Sequence, residues 1–327
     1  MSETTQKFLM LGYGVLAFAL AVGVILLVAQ IGSRFSSDRH QRVLQTTLFI
    51  GPALVLMAIG LVVPAIRTTL LAFKDSYGDQ WVGFNNFSWM FTSSDTLVVL
   101  RNTAIWVLLT PFLATAIGLV YSILVDGSRF ESVYKALVFM PMAISMVGAS
   151  LIWRFVYDYK EEAPNQIGLL NQILLWCGVK PFDYVRTAPW NTLFLIVILI
   201  WIQAGFAMVV LSAAIKNIPS DMVEAAQLDG VNPFQMFFRI TLPAIRPAVL
   251  VVYITILIGT LKVFDIVRTM TGGNFDTSVI ANEMYNQSFR YDESGKGAAL
   301  AVFLFVLVLP VVVYQIRQVR RERLESR

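Results

Sequence analysis

Hydrophobic residues in this chain are gathered into long runs, and the intervals between runs carry nearly all of the charge. Residues 8–31 contain no charged side chain, and comparable runs cover 48–66, 102–125, 136–153, 187–215, 247–261 and 297–316. A helix needs about 20 mostly apolar residues to cross the hydrocarbon core. The pattern therefore predicts an all-α, polytopic membrane protein with about seven transmembrane helices. Its parity is open, because 67–101 has room for a partial re-entry. The first run reads as an uncleaved helix rather than a signal peptide. It is long for a signal h-region, Glu3 offsets Lys7 before it, and no small-x-small cleavage site follows.

Composition agrees with this reading. The 327 residues are 57% hydrophobic and 14% charged, with a mean hydropathy of +0.69, far from an average soluble domain. One cysteine, Cys177, and one histidine exclude a disulfide framework and a Cys/His metal cluster. Cys177 is expected to be a small buried residue. No basic, aromatic-interleaved surface suggests nucleic acid. Basic residues crowd alternate connections: Arg34, Arg39 and Arg42; Arg129 and Lys135; Arg317, Arg320, Arg321, Arg323 and Arg327. The other connections are longer and hold most acids, among them Asp75, Asp79, Asp158, Glu161 and Asp183. This bias of density places the amino terminus outside and the carboxyl terminus in the cytoplasm, with 216–246 also cytoplasmic.

Residues 216–246 are the polar exception between two apolar runs. Pro219 ends the preceding span, and Ser220 can cap a new helix with Asp221 and Glu224 near its positive end. Gly230 is suited to the left-handed residue just past a helix end. Asn232 then caps and Pro233 opens a second helix, which shows Phe234, Phe237, Phe238 and Ile240 until Leu242-Pro243 leads into the next span. Two short helices with a sharp bend are expected. The chain contains no Gly-x4-Gly-Lys-Ser/Thr loop to cradle nucleotide phosphates, so energy for any transport comes from a partner or an ion gradient.

Glu224-Ala225-Ala226-x2-Asp229-Gly230, followed by Ile240-x-Leu242-Pro243, resembles the coupling loop of ABC importer membrane subunits. Asn102-Thr103-Ala104, Phe139-Met140-Pro141, Trp190 to Phe206, Leu261 to Asp265 and Thr271-Gly272-Gly273 resemble the carbohydrate-importing branch. Over 48–316 the chain is most similar to the larger permease of maltose and α-glucoside importers. The resemblance implies a permease fold of the maltose-transporter type and a subunit without catalysis, importing maltose, maltodextrin or trehalose. It implies a coupling set of Glu224, Ala225, Ala226, Asp229, Gly230, Phe234, Phe237, Ile240, Leu242 and Pro243. Implied partners are a second, homologous permease, two cytoplasmic ATPases that hold the ATP and Mg, and an extracytoplasmic sugar-binding protein. Residues 1–47 would be an additional helix and loop, 48–316 a six-helix core, and 317–327 a basic tail.

For the substrate path, Trp201, Gln203 and Phe206 offer aromatic plates beside an amide, matching the apolar faces and hydroxyl edges of sugars. The family register adds Thr260 from the next span, while Leu199, Ile256 and Gly259 at neighbouring register positions lack suitable chemistry. Lys262 and Asp265, three residues apart, are expected on one helical face where they partly neutralise each other, at a cavity or at the outer interface. The alternative is an ion-coupled secondary transporter of a small polar solute. Against it, the sequence shows no convincing internal repeat and one candidate ion pair.

Overall fold

The computed structural model describes residues 50–161 and 165–325, with Gly23 and Thr47 alone before them. The expected helix at 8–31 lies outside the described residues. The chain divides into two units, Met1–Thr68 and Thr69–Arg327. The first contributes most of α1 (Ile50–Leu71). The second holds α2 (Asn85–Thr92), α3 (Ser94–Val125), α4 (Glu131–Phe139), α5 (Met146–Val156), α6 (Leu169–Trp176) and α7 (Trp190–Lys216). It continues with α8 (Ser220–Leu228), α9 (Pro233–Leu261), α10 (Asp265–Met270), α11 (Ile280–Phe289) and α12 (Ser294–Glu325). No strand occurs among the described residues, only an isolated bridge between Lys74 and Trp81.

Five helices, α1, α3, α7, α9 and α12, are long and apolar enough to cross a membrane. A sixth span is bent: α4, prolonged by a 3-10 turn at Met140–Ala143, meets α5 at 103°. The run 136–153 is thus not one straight helix. Pro141 sits in the tight turn, and Ser145 starts α5 afresh by accepting the Gly148 N–H at 3.0 Å. The other candidate breaker, Pro111, lies inside a continuous α3. Its missing N–H costs one backbone bond, and the close packing of α3 on α7 holds the helix through it.

Two further prolines are accommodated differently. Pro64 follows a π-helical turn at Ala58–Val62, and Pro243 follows one at Phe237–Thr241. In both, the residue before the proline donates to a carbonyl five positions back, Val63 to Ala58 and Leu242 to Phe237. The wider turn draws aside the carbonyls that a proline ring would otherwise strike. Leu242-Pro243 consequently does not separate the loop helix from the span. α9 runs through from Pro233 to Leu261. α12 likewise continues into the basic residues, as far as Glu325.

α7 is the central element. It carries the buried Leu195, Ile198, Leu199, Ile202, Ala207 and Leu211, and Trp106 and Ala114 of α3 join the same core. The α3–α7 approach is close enough that a Cβ on Gly118 would lie 2.4 Å from the Ala207 Cβ and 2.8 Å from the Met208 nitrogen. On another side, a Cβ on Gly205 would lie 2.3 Å from the Val138 carbonyl oxygen of α4. Small residues take this role because lipid supplies no hydrophobic drive between helices, leaving contact itself to hold them. A smaller core of Ala72, Met90, Val99, Ile280, Ala298, Ala299 and Leu300 ties α2 and α11 to the first turns of α3 and α12.

Gly118→Val should destabilise the protein by about 1–3 kcal/mol through overpacking against backbone. Gly259→Ala, where an added Cβ meets nothing within 4 Å, should not. Unfolding midpoints in one detergent, compared with the parent protein, check both.

Candidate functional site

The polar loop folds as two helices around a left-handed glycine. α8 begins at Ser220 directly after Pro219, so Ser220 is the first helical residue and not the cap expected of it; no side chain caps this end. At the far end, Gly230 (φ 75°) donates to the Gln227 carbonyl at 3.0 Å and Val231 to the Ala226 carbonyl at 3.2 Å. This pair of bonds is a Schellman closure, and it needs the positive φ that glycine adopts without penalty. Asn232 and Gln235 then form a capping box: Gln235 N–H donates to the Asn232 side chain at 2.8 Å, and Asn232 N–H to the Gln235 side chain at 3.2 Å.

The exposures sort the expected coupling residues. Ala226 is buried, whereas Glu224, Ala225, Asp229, Gly230 and Pro243 are exposed. Phe234 is 72% exposed and packs on Phe238, with ring centroids 4.5 Å apart, while Phe237, Ile240 and Leu242 are half-buried. Leu228 is 89% exposed and Met222 also stands in the open. Neither residue belonged to the expected set. The signal was present in the helical period: Leu228, two positions after the inward-facing Ala226, must point outward. Met222, Leu228, Phe234 and Phe238 are thus large apolar side chains left exposed at the apolar tip of a polar loop, the kind of surface that marks a contact site.

The substrate-path residues separate. Gln203 and Phe206 share a face of α7 and are half-buried, and the Gln203 amide makes no hydrogen bond among the described residues. Trp201, two positions before Gln203, points elsewhere and packs edge-on against Trp153 of α5, with centroids 5.7 Å apart. Thr260 is 1% exposed and its hydroxyl donates to the Ile256 carbonyl at 2.8 Å, so it offers no free donor. Lys262 and Asp265 do not share a helical face. α9 ends at Leu261, Lys262 is its exposed C-cap, and Asp265 begins α10. The break lets Val263 turn into the core and puts the Asp265 carboxylate at a positive helix end. No ion pair joins the two among the described residues. Cys177 is exposed rather than buried.

Three scattered segments singled out in the sequence meet at the opposite end of the bundle. Asn102 of α3 donates to the Ser278 carbonyl at 3.1 Å, and Asn191 of α7 to the Phe275 carbonyl at 2.7 Å. Thr103 accepts the Ile280 N–H at 3.0 Å. These contacts hold the 271–279 loop with Phe275 and Asp276 both in left-handed backbone, at φ 59° and 58°. Beside it lies a polar cleft of about 320 Å³ lined in part by Arg154, Asp158, Asp183, Arg186 and Phe275.

With this geometry in place, comparison with known proteins identifies the fold. Residues 98–324 match the model of the binding-protein-dependent transport system inner membrane component family. The osmoprotective compounds uptake permease protein GgtC of Synechocystis is 43% identical over 84% of this chain and 99% of its own length. The alpha-glucoside transport system permease protein AglF of Rhizobium meliloti is 44% identical over 84% of this chain and 82% of its own length. Among solved structures, a bacterial ABC transporter involved in the import of the acidic polysaccharide alginate has a chain with a TM-score of 0.74. It is 24% identical, with 87% of this chain and 99% of that chain covered, and shares the fold. The ion-coupled alternative is thereby set aside. The chain belongs to the binding-protein-dependent transport system inner membrane component family and is a non-catalytic, multi-pass inner-membrane permease subunit of the ABC importer type.

Proposed function

We propose that this subunit forms half of the translocation path of an ATP-driven importer of α-glucosides such as maltose, maltodextrin or trehalose. The observation that carries the mechanism is the apolar tip of the 217–241 loop. Leu228 and Phe234 are largely exposed and Met222 and Phe238 about half so, and burying a Leu or Phe side chain contributes about 1.5–3 kcal/mol. A cytoplasmic ATPase is the partner that such a surface fits, and Glu224, Ala225, Asp229 and Gly230 flank it. ATP and Mg then sit on that ATPase, present in two copies. A second permease of the same fold completes the pore, and a sugar-binding protein delivers substrate at the outer face. The α-glucoside class is supported by the similarity to AglF. Within the path, the unpaired Gln203 amide beside the Phe206 ring is the pair suited to a sugar. Residues 48–316 make up the transport core, 1–47 an added helix and loop. The loop 217–241 and the end of α12 lie in the cytoplasm, and the amino terminus lies outside.

Three outcomes test this reading. Gly230→Asp introduces a Cβ into space that is empty within this chain, though at φ 75° it strains the backbone locally by about 1–2 kcal/mol. That strain is confined to the loop, so the variant should still insert and assemble, yet lose sugar-stimulated ATP hydrolysis by the complex. Gln203→Ala should raise the apparent KM for transport roughly three- to tenfold, the equivalent of one hydrogen bond. Thr260→Val, at a hydroxyl already engaged by its own helix, should leave that KM unchanged; uptake of radiolabelled trehalose and maltose reads both. For topology, in a Cys177→Ser background, Tyr291→Cys should react in intact cells with a membrane-impermeant thiol reagent, whereas Ser220→Cys should not. Labelling of position 220 from outside would reverse the orientation.

A further inference from the structure

Where α3, α4 and α7 end on the side of the coupling loop, four charged side chains and a hydroxyl converge. Glu131, the first residue of α4, holds two ammonium groups on one oxygen: Lys135 and Lys216 each lie 2.5 Å from Oε1. Its other oxygen accepts the Gly127 N–H at 3.3 Å. Lys216 is the last residue of α7 and also lies 3.3 Å from Asp126, the residue that closes α3. Lys135 donates in addition to Ser212 of α7, whose side chain is 1% exposed. Two acids and two bases thus balance, and Glu131, Lys135 and Asp126 keep only about a quarter of their side-chain surface in the open.

An isolated surface ion pair does little. This cluster differs because one carboxylate spans the α3–α4 corner and the end of α7, while one of its ammonium groups is also held by a buried hydroxyl. Its place along α7 gives it a mechanical meaning. The close backbone contact of Gly205 with Val138 fixes α7 to α4 at one point. Lys216 lies eleven residues further on, about 16 Å at the α-helical rise. The cluster adds a charged tie at the very end of α7 to the packing that holds its middle on α3 and α4.

We propose that Glu131 is a positioning residue for energy coupling. It clamps the end of α7, next to the loop, to the α3–α4 corner. Load that α8 places on the end of α7 through the 217–219 joint is then passed to α3 and to the bent α4–α5 span. This rests on the reading of 217–241 as the ATPase-docking loop.

The test uses the complete transporter with its own second permease, ATPase and binding protein, reconstituted in proteoliposomes with trehalose and maltose as probes. The readout is sugar moved per ATP hydrolysed. Glu131→Gln should lower that ratio about two- to thirtyfold, the range expected for residues that modulate coupling, while hydrolysis continues. Glu131→Asp, which keeps the charge, should restore most of the ratio. An unchanged ratio in Glu131→Gln overturns the proposal. So does a fall in the amount of assembled complex with the ratio intact, which marks a merely structural role. Leu228→Asp in the same assay separates the two levels. If it abolishes sugar-stimulated hydrolysis and Glu131→Gln is silent, the clamp alone is refuted. If Leu228→Asp behaves as the parent, the docking reading fails and the clamp with it.

Discussion

Helices in a bilayer gain nothing from hiding apolar surface from lipid that is equally apolar, so their association depends on how closely their backbones can approach. In this subunit that constraint falls on α7. Gly118 of α3 meets it at Ala207 and Met208, and its own Gly205 meets Val138 of α4. These contacts place two neighbours against one helix within a few residues. The buried Leu, Ile and Trp side chains around them fill the remaining space. Because α7 then runs without a break to Lys216, the same packing that holds the bundle also sets where the 217–241 loop begins.

Polar groups do complementary work at the two ends. Asn102, Asn191 and Thr103 spend their side chains on backbone groups of the 271–280 segment. A non-helical loop at the end of a membrane bundle is tolerated when buried partners satisfy its backbone in this way. At the other end the demand is met within the loop, by the Schellman closure at Gly230 and the capping box at Asn232. One end is therefore pinned to the bundle through side chains. The other is a self-sufficient unit that turns its apolar residues outward.

Five of the spans and the bend at Gly230 were legible because hydrophobic run length and glycine φ preference are local properties. The prolines were less so. Pro111, Pro141 and Pro243 look alike in sequence, but one is carried through a packed helix, one sits in a sharp bend and one follows a π turn. Which solution applies depends on neighbours that sequence order does not reveal. Lys262 and Asp265 failed for a related reason. Spacing places two residues on one face only if the helix between them is unbroken, and here it breaks between Leu261 and Asp265. Thr260 shows a third limit: a hydroxyl in a helix tends to bond its own backbone, so a polar residue on a span is not automatically a polar surface. The Gln203 amide, by contrast, makes no hydrogen bond among the described residues.

The π turn at Phe237–Thr241 gives the loop two unlike attachments. On the α7 side the chain leaves helical geometry at Asn217–Pro219, a short joint between two separate rods. On the α9 side the loop helix and the span are one continuous rod from Pro233 to Leu261. A body hinged at one edge and welded at the other behaves as a crank: a push on its tip turns α9 about its own root, whereas α7 receives chiefly the reaction force at the pivot. The two spans that flank the loop would accordingly report the same push with different motions, a tilt in one and little but load in the other.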